Sequence, residues 1–261
     1  MVRFFYLALF LFPLFSSAQK ELPYQLGEYS SFEVSFGGIK VGSADMEIVS
    51  DTIIDSTSVF HIVGKGKTAP FFDWFFKVRD VYETFLDISE LRPLRFIRDI
   101  HEGGYEKTQL YNFNHHDSLV FTEDTAYSIP LNSQDMLSAL FFARTFNMQD
   151  LKKTNSFFVP IFMDEENYFL EILYLENELL QTKWGAIDCM VFKPKMQDGR
   201  VFEDGEEMKI WITDDGNHLL IKVETKIWAG SIKAVLVEYK ELKFPLSINK
   251  KKIKKSISIK N

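Results

Sequence analysis

The fold is decided by two runs near the start of the chain, SFEVSF at residues 31–36 and ADMEI at residues 44–48. In each run apolar side chains alternate with polar ones, which is the period of a β-strand that buries one face. A glycine pair follows the first run and is typical of a tight hairpin turn. The alternation predicts an antiparallel hairpin in which Phe32, Val34 and Phe36 share one buried face.

The same alternation returns along most of the chain. Further strand-like segments lie at residues 60–62, 81–86, 94–98, 108–113, 119–121, 127–129, 157–162, 168–174, 187–192, 208–212, 219–225 and 234–239. Short polar turns separate many of them, which favours local antiparallel pairing over a parallel α/β sheet. The sequence therefore predicts an all-β fold with one or two short helices, in which an antiparallel meander forms a curved sheet, a half-barrel or a barrel.

Two segments interrupt the strand pattern. Residues 135–144 combine good helix formers with apolar residues at helical spacing, and Ser133 is the expected N-cap. A shorter helical turn is predicted at residues 70–76. Because no linker rich in Pro, Ser or Gly divides the chain, we expect one β-rich domain over residues 19–248 and a lysine-rich tail at residues 249–261.

The start of the chain predicts where the protein works. Arg3 precedes a short apolar run, and the small residues Ser16 and Ala18 occupy the two positions that signal peptidase reads. We expect residues 1–18 to be a signal peptide and the protein to be exported, either free in the periplasm or peripheral to the outer membrane. The lone Cys189 lies far from the cleavage site, so we expect neither a lipid anchor nor a transmembrane helix in the mature chain.

The charge distribution narrows the class of partner. The net charge is −7, and residues 249–261 hold six lysines and no acid, so the rest of the chain is strongly acidic. An acidic body argues against nucleic acid as a partner. The lysine tail suits peripheral contact with an anionic membrane, or it is a frayed, solvated terminus. The oligomeric state stays open.

Few residues suggest catalysis. The sequence HHD at residues 115–117 resembles a metal site, but histidines in a surface turn fit the same pattern. The acidic pair Asp214 and Asp215 suits either a carboxylate enzyme or a turn. No nucleophile elbow, phosphate loop or dinucleotide motif occurs, so we expect no cofactor and no metal. Cys189 lies in a strand-like run and is expected to be a small buried apolar residue.

The strongest candidates for ligand binding are five aromatic residues in one short segment: Phe71, Phe72, Trp74, Phe75 and Phe76. Their side chains point around the whole turn, so one helix face cannot bury them all. They are expected either to plug one end of a barrel or to line a cavity for an acyl chain.

Several segments together resemble a known family. They are residues 27–28, 37–44, 79–84, 91–96, 134–140 with Arg144, and 208–215 with 230–231. In order and spacing they resemble the DUF3108 family of exported bacterial proteins, which has no assigned activity. The resemblance implies export and a β-rich fold, and it supplies no catalytic residues. The Phe-rich leader and Gln19 are similar to those of exported Bacteroidetes proteins.

Three functions remain open at this point. The first is a non-catalytic binding or carrier module for an apolar or amphipathic envelope component such as a lipid. The second is an envelope enzyme that acts on glycan or lipid through carboxylates, and the third is a structural partner in an envelope assembly. A large apolar cavity would favour the first, convergent carboxylates the second, and an exposed aromatic patch the third.

Overall fold

The computed structural model describes residues 21–196, 207–227 and 230–249. The predicted signal peptide and the lysines from residue 250 onward lie outside the described residues. The described part contains the following strands and helices: β1 Tyr29–Phe36, β2 Ile39–Ile54, β3 Thr57–Thr68, β4 Arg79–Asp87, β5 Pro93–Glu102, β6 Tyr105–Asn114, β7 Leu119–Phe121, β8 Ala126–Ser128, α1 Met136–Arg144, α2 Met148–Thr154, β9 Ser156–Met163, β10 Glu166–Thr182, β11 Gly185–Met196, β12 Glu207–Thr213, β13 Leu220–Ile227 and β14 Gly230–Lys240.

All fourteen strands of the described residues belong to one antiparallel sheet, with the order β8-β7-β6-β5-β4-β3-β2-β1-β14-β13-β12-β11-β10-β9. Strands that follow each other in the chain pair with each other, except β8 and β9, and the first strand pairs with the last at the centre. The predicted antiparallel meander is confirmed. The sheet does not close by strand pairing, because β8 and β9 are its two edges.

The two edges are nevertheless brought together. Gln134, which follows β8, forms a parallel bridge with Ile161 of β9. Its backbone N–H donates to the carbonyl of Pro160 at 2.8 Å, and its carbonyl accepts from the N–H of Phe162 at 2.9 Å. On the inner face, the ring of Phe162 lies 5.1 Å from that of Tyr111 on β6. The sheet therefore curves until its two edges lie close together, but it does not form a closed barrel.

The helix predicted at residues 135–144 is present as α1, but its N-cap is Asp135 and not Ser133. The carboxylate of Asp135 accepts from the N–H groups of Leu137 and Ser138, both at 2.8 Å. The hydroxyl of Ser138 accepts in return from the N–H of Asp135 at 2.9 Å, which completes a capping box. Because the first free N–H groups lie two and three residues beyond Asp135, Ser133 is too far upstream to cap them.

The strand predicted at residues 31–36 is confirmed as part of β1, but the shared buried face is only partly correct. Phe32 is 3% exposed, Val34 is half-buried and Phe36 is 38% exposed. Phe36 pairs with Ile39 and Ile232, and both of these are exposed. The hairpin end of β1 therefore projects beyond the apolar core.

No helix among the described residues is both long enough and apolar enough to span a membrane. Cys189 of β11 is fully buried, and this burial raises the pKa of its thiol to about 12. A thiol in that environment stays protonated and acts as part of the core.

Candidate binding site

An apolar cleft lies where the two helices pack over the C-terminal half of the sheet. Its volume is about 200 Å³, it is partly open to solvent, and almost all of its wall is carbon. The cleft is lined by Met136, Ala139, Leu140, Ala143, Arg144, Met148, Leu151, Phe157, Ile161, Leu170, Ile172, Phe192, Ile210 and Ile212.

Helix α1 can form this wall because it is apolar on two sides. Leu137 and Phe141 pack into the core of the N-terminal half, together with residues of β2 to β6. Met136, Leu140 and Ala143 follow each other at helical spacing on another stripe and line the cleft. The helix is therefore a partition between the filled core and the cleft.

A buried ion pair fixes the C-terminal end of this partition. Arg144 donates to the two carboxylate oxygens of Glu28 at 2.5 and 3.0 Å, and it also donates to the backbone carbonyl of Asn217 at 3.0 and 3.2 Å. The guanidinium lies 5.1 Å from the ring of Tyr24, and burial raises the pKa of that phenol far above its ordinary value. Since these contacts engage its charged head, Arg144 closes one end of the cleft without offering a free cation to a ligand.

The loop between β12 and β13 ties both helices to the sheet. The carbonyl of Arg144 contacts Nδ1 of His218 at 2.6 Å, and burial lowers the pKa of this histidine. Lys152 of α2 donates to Asp214 at 2.9 Å. Asp215 accepts from the hydroxyl of Thr213 at 2.6 Å. The acidic pair therefore serves the turn and the helices, and it does not form two carboxylates that face a substrate.

The five aromatic residues predicted to bind ligand lie elsewhere, in the loop between β3 and β4. Phe71, Trp74 and Phe75 are 74%, 79% and 78% exposed, Phe76 is also exposed, and Phe72 is half-buried. None of the five lines the apolar cleft. Phe71, Trp74 and Phe75 are too exposed to act as a plug or to line an enclosed cavity, whereas the ring of Phe76 lies against Gly103. Their role in ligand binding stays a prediction.

This chain matches the family model described as "Protein of unknown function (DUF3108)" over residues 31–237. The chain belongs to the DUF3108 family. The segments that carried the resemblance include Glu28, Arg144 and Asp214. Glu28 binds Arg144 at the end of α1, and Asp214 binds Lys152 of α2. No curated protein matches the DUF3108 chain.

A comparison with solved structures gives one match that resembles the DUF3108 chain in fold and two weaker matches. A β-barrel-like protein of a domain of unknown function, DUF1849, from Brucella abortus has a TM-score of 0.58 at 8% identity, covering 84% of this chain and 99% of its own. A "putative lipoprotein" from Parabacteroides distasonis has a TM-score of 0.36 at 12% identity, covering 84% and 97%. A "putative exported protein with YmcC-like fold" from Bacteroides fragilis has a TM-score of 0.32 at 11% identity, covering 84% and 98%.

The histidine pair of the DUF3108 chain is split. His115 contacts the carbonyl of Pro93 through Nε2 at 2.8 Å, and burial lowers its pKa. His116 is exposed and contacts Asp117 at 2.9 Å. Within the described ranges, no group of three or more His, Cys, Asp or Glu side chains is arranged to hold a metal ion.

Sequence reasoning missed the cleft because its walls come from six separate elements. One signal was available in the sequence: residues 136–144 carry apolar side chains on more than one face of the helix. A helix that is apolar on two faces needs two apolar neighbours. The sequence does not say that the second neighbour leaves a space.

Proposed function

We propose that this DUF3108 protein is a non-catalytic binding module for an apolar or amphipathic component of the cell envelope, and that it is exported after removal of residues 1–18. The alkyl part of the ligand occupies the cleft beside α1 and α2. The composition of the cleft carries the proposal: apart from the engaged Arg144, the side chains around it are apolar. Such walls favour hydrocarbon over a polar substrate.

The size of the cleft limits what it holds. An engineered protein cavity of about 150 Å³ lined by apolar side chains stays dry and binds benzene. A cleft of about 200 Å³ accepts one segment of an alkyl chain, and its opening leaves a polar head in solvent. The flexible side chains of Met136 and Met148 let the wall adjust to chains of different shape. A fatty acid or a single acyl chain of a lipid fits these limits.

One measurement tests both the ligand and the export. Native mass spectrometry of the protein recovered from the envelope fraction of its cells gives the mass of the polypeptide and of any molecule that stays bound. We expect a chain that begins at Gln19, carries no covalent lipid and retains a non-covalent adduct with the mass of a fatty acid or lipid. A chain that retains residues 1–18, or a protein free of any apolar adduct, contradicts the corresponding part of the proposal.

A variant that fills the cleft identifies the site. Ala143→Phe adds a ring to the wall, so we expect the affinity for a fluorescent fatty acid to fall by about tenfold or more while the melting temperature is kept. Ala126→Phe, at an exposed position in β8, is the matched control and should bind like the unaltered protein. Equal affinity of the two variants would place the fatty acid outside the cleft.

A further inference from the structure

Residues 69–78 connect β3 to β4 and form the aromatic loop. Three of its side chains, Phe71, Trp74 and Phe75, are largely exposed, and the rings of Trp74 and Phe75 contact each other edge-on with centroids 6.0 Å apart. Single exposed apolar residues are ordinary, whereas a contiguous apolar patch marks a contact surface.

The loop keeps its shape without help from these rings. Arg79 donates to both carboxylate oxygens of Asp73 at 3.1 and 2.5 Å, and the hydroxyl of Thr68 donates to Asp73 at 2.6 Å. These hydrogen bonds lower the pKa of Asp73, so the carboxylate stays charged and the contacts persist at neutral pH. The carbonyl of Lys77 also accepts from the N–H of Gly103 at 2.9 Å. Because polar contacts fix the backbone, the exposed rings are free for contact with another body.

The apolar surface continues onto the neighbouring turns. In an antiparallel meander every second turn lies at the same end of the sheet, so the aromatic loop is flanked by the β1–β2 and β5–β6 hairpins. Ile39 is exposed at the first hairpin and Tyr105 at the second. The N–H of Ala69 donates to the carbonyl of Val41 at 2.8 Å and joins the loop to the first hairpin. The patch therefore extends from the β1–β2 hairpin to the β5–β6 hairpin.

The exposed charged side chains beside the patch are mostly lysines, although the whole chain carries a net charge of −7. Lys65, Lys67 and Lys77 are exposed beside the rings, whereas the nearby acids are either paired or less exposed: Asp73 pairs with Arg79, Asp80 is buried, and Glu102 at the base of the loop is half-buried. A groove beside the loop is lined by Lys77, Arg79 and His101, with Glu106 as its acidic member. Exposed aromatic rings with lysines beside them match the boundary between the acyl chains and the anionic headgroups of a bilayer.

We propose that the aromatic loop docks this protein onto the surface of an anionic phospholipid bilayer. Phe71, Trp74 and Phe75 enter the interfacial layer, and Lys67 and Lys77 contact the phosphate groups. This surface is separate from the cleft, so docking does not depend on a ligand in the cleft.

The test uses the naturally processed protein and vesicles whose acyl chains carry bromine, which quenches nearby tryptophan. With vesicles of phosphatidylglycerol we expect strong quenching, and with vesicles of phosphatidylcholine alone we expect little. Trp74→Phe keeps an aromatic ring at the position, so it should still co-sediment with the vesicles while losing most of the quenched emission. This result would assign the inserted tryptophan to the loop.

Affinity is then measured by co-sedimentation. The double variant W74A/F75A should weaken binding by about tenfold or more, and Phe158→Ala on β9, which removes a ring that is 49% exposed, should not. Lys67→Gln and Lys77→Gln should each weaken binding about fivefold. Two results would overturn the proposal. Quenching that persists in Trp74→Phe would place the contact elsewhere on the protein. Absence of binding to phosphatidylglycerol vesicles would exclude membrane docking, and self-association of the protein would then assign the exposed rings to a protein contact.

Discussion

Arg144 and Glu28 are 116 residues apart in the chain, and their side chains form a buried bidentate pair. The sequence places each in a segment typical of the family, but no spacing rule joins them, because the contact depends on how α1 crosses the sheet. The aromatic residues show the reverse case. Their clustering at residues 71–76 is plain in the sequence. Their exposure is not, because it depends on whether distant parts of the chain pack over them. The sequence shows which residues cluster along the chain, but it does not show which side chains they contact or how exposed they are in the fold.

Removal of one partner of the buried pair should be costly. Glu28→Gln leaves the guanidinium of Arg144 buried without its counter-charge, so we expect the free energy of unfolding in urea to fall by about 3–5 kcal/mol. Asp150→Asn breaks the exposed pair with Lys153 and is the control, with an expected change of about 0.5 kcal/mol or less. Equal urea midpoints for the two variants would show that the buried pair does not stabilise the helix end.

At the scale of elements, period-2 alternation predicted most strands and helical spacing predicted α1. These local patterns succeed because each strand or helix must bury one face. The N-cap was misplaced by two residues, because Ser133 and Asp135 are both good caps and the choice depends on where the helical backbone begins. Inside the fold, the hydroxyl of Thr84 also donates to Asp135 at 2.6 Å, a contact between β4 and α1 that no local pattern reveals.

Asp135 should make stability depend on pH. Complete burial raises the pKa of its carboxyl from the ordinary value of 3.8 to about 6. The folded chain therefore binds this proton more tightly than the unfolded chain does, and the resulting stabilisation is present below about pH 4 and lost as pH rises through about 6. Asp135→Asn keeps a capping oxygen but has no charge to bury.

We expect the unfolding free energy of the unaltered protein, relative to that of Asp135→Asn, to fall by on the order of 2–3 kcal/mol between pH 4 and pH 7. Denaturant titrations across this range measure it. Asp135→Ala, which removes the cap altogether, should be about 1 kcal/mol less stable than Asp135→Asn at every pH. Parallel pH profiles for the unaltered protein and Asp135→Asn would mean that the carboxylate is charged at no cost in the fold.

At the scale of the whole molecule, the antiparallel meander was predictable and the nearly closed shape was not. Closure depends on the contact between β6 and β9 and on the bridge at Gln134, and the residues involved carry no signal of their partners. No local sequence pattern predicts the pairing of β1 with β14 either. Phe32 and Leu236 are opposite each other in this pairing, and both belong to the core of the C-terminal half.

We predict that residues 19–248 unfold as one domain, because the central pairing joins the two halves of the sheet. Leu236→Ala should lower stability by about 2–5 kcal/mol and increase amide hydrogen exchange by the same factor in β5 and in β11. Val235→Ala, at an exposed neighbouring position, should leave exchange nearly unchanged. Faster exchange in β11 alone would show that the two halves are separate units.

The central pairing has a consequence for the order in which the molecule is completed. Tyr29 at the start of β1 pairs with Lys240 at the end of β14. The first strand to be synthesised therefore cannot complete its pairing until the last strand is available. Until residues 230–240 arrive, β1 presents a free edge that can pair with other chains. A truncated or stalled chain therefore lacks the middle of its sheet and not its margin. The arrival of β14 covers this edge, so we expect chains that end before residue 230 to aggregate more readily than the full chain.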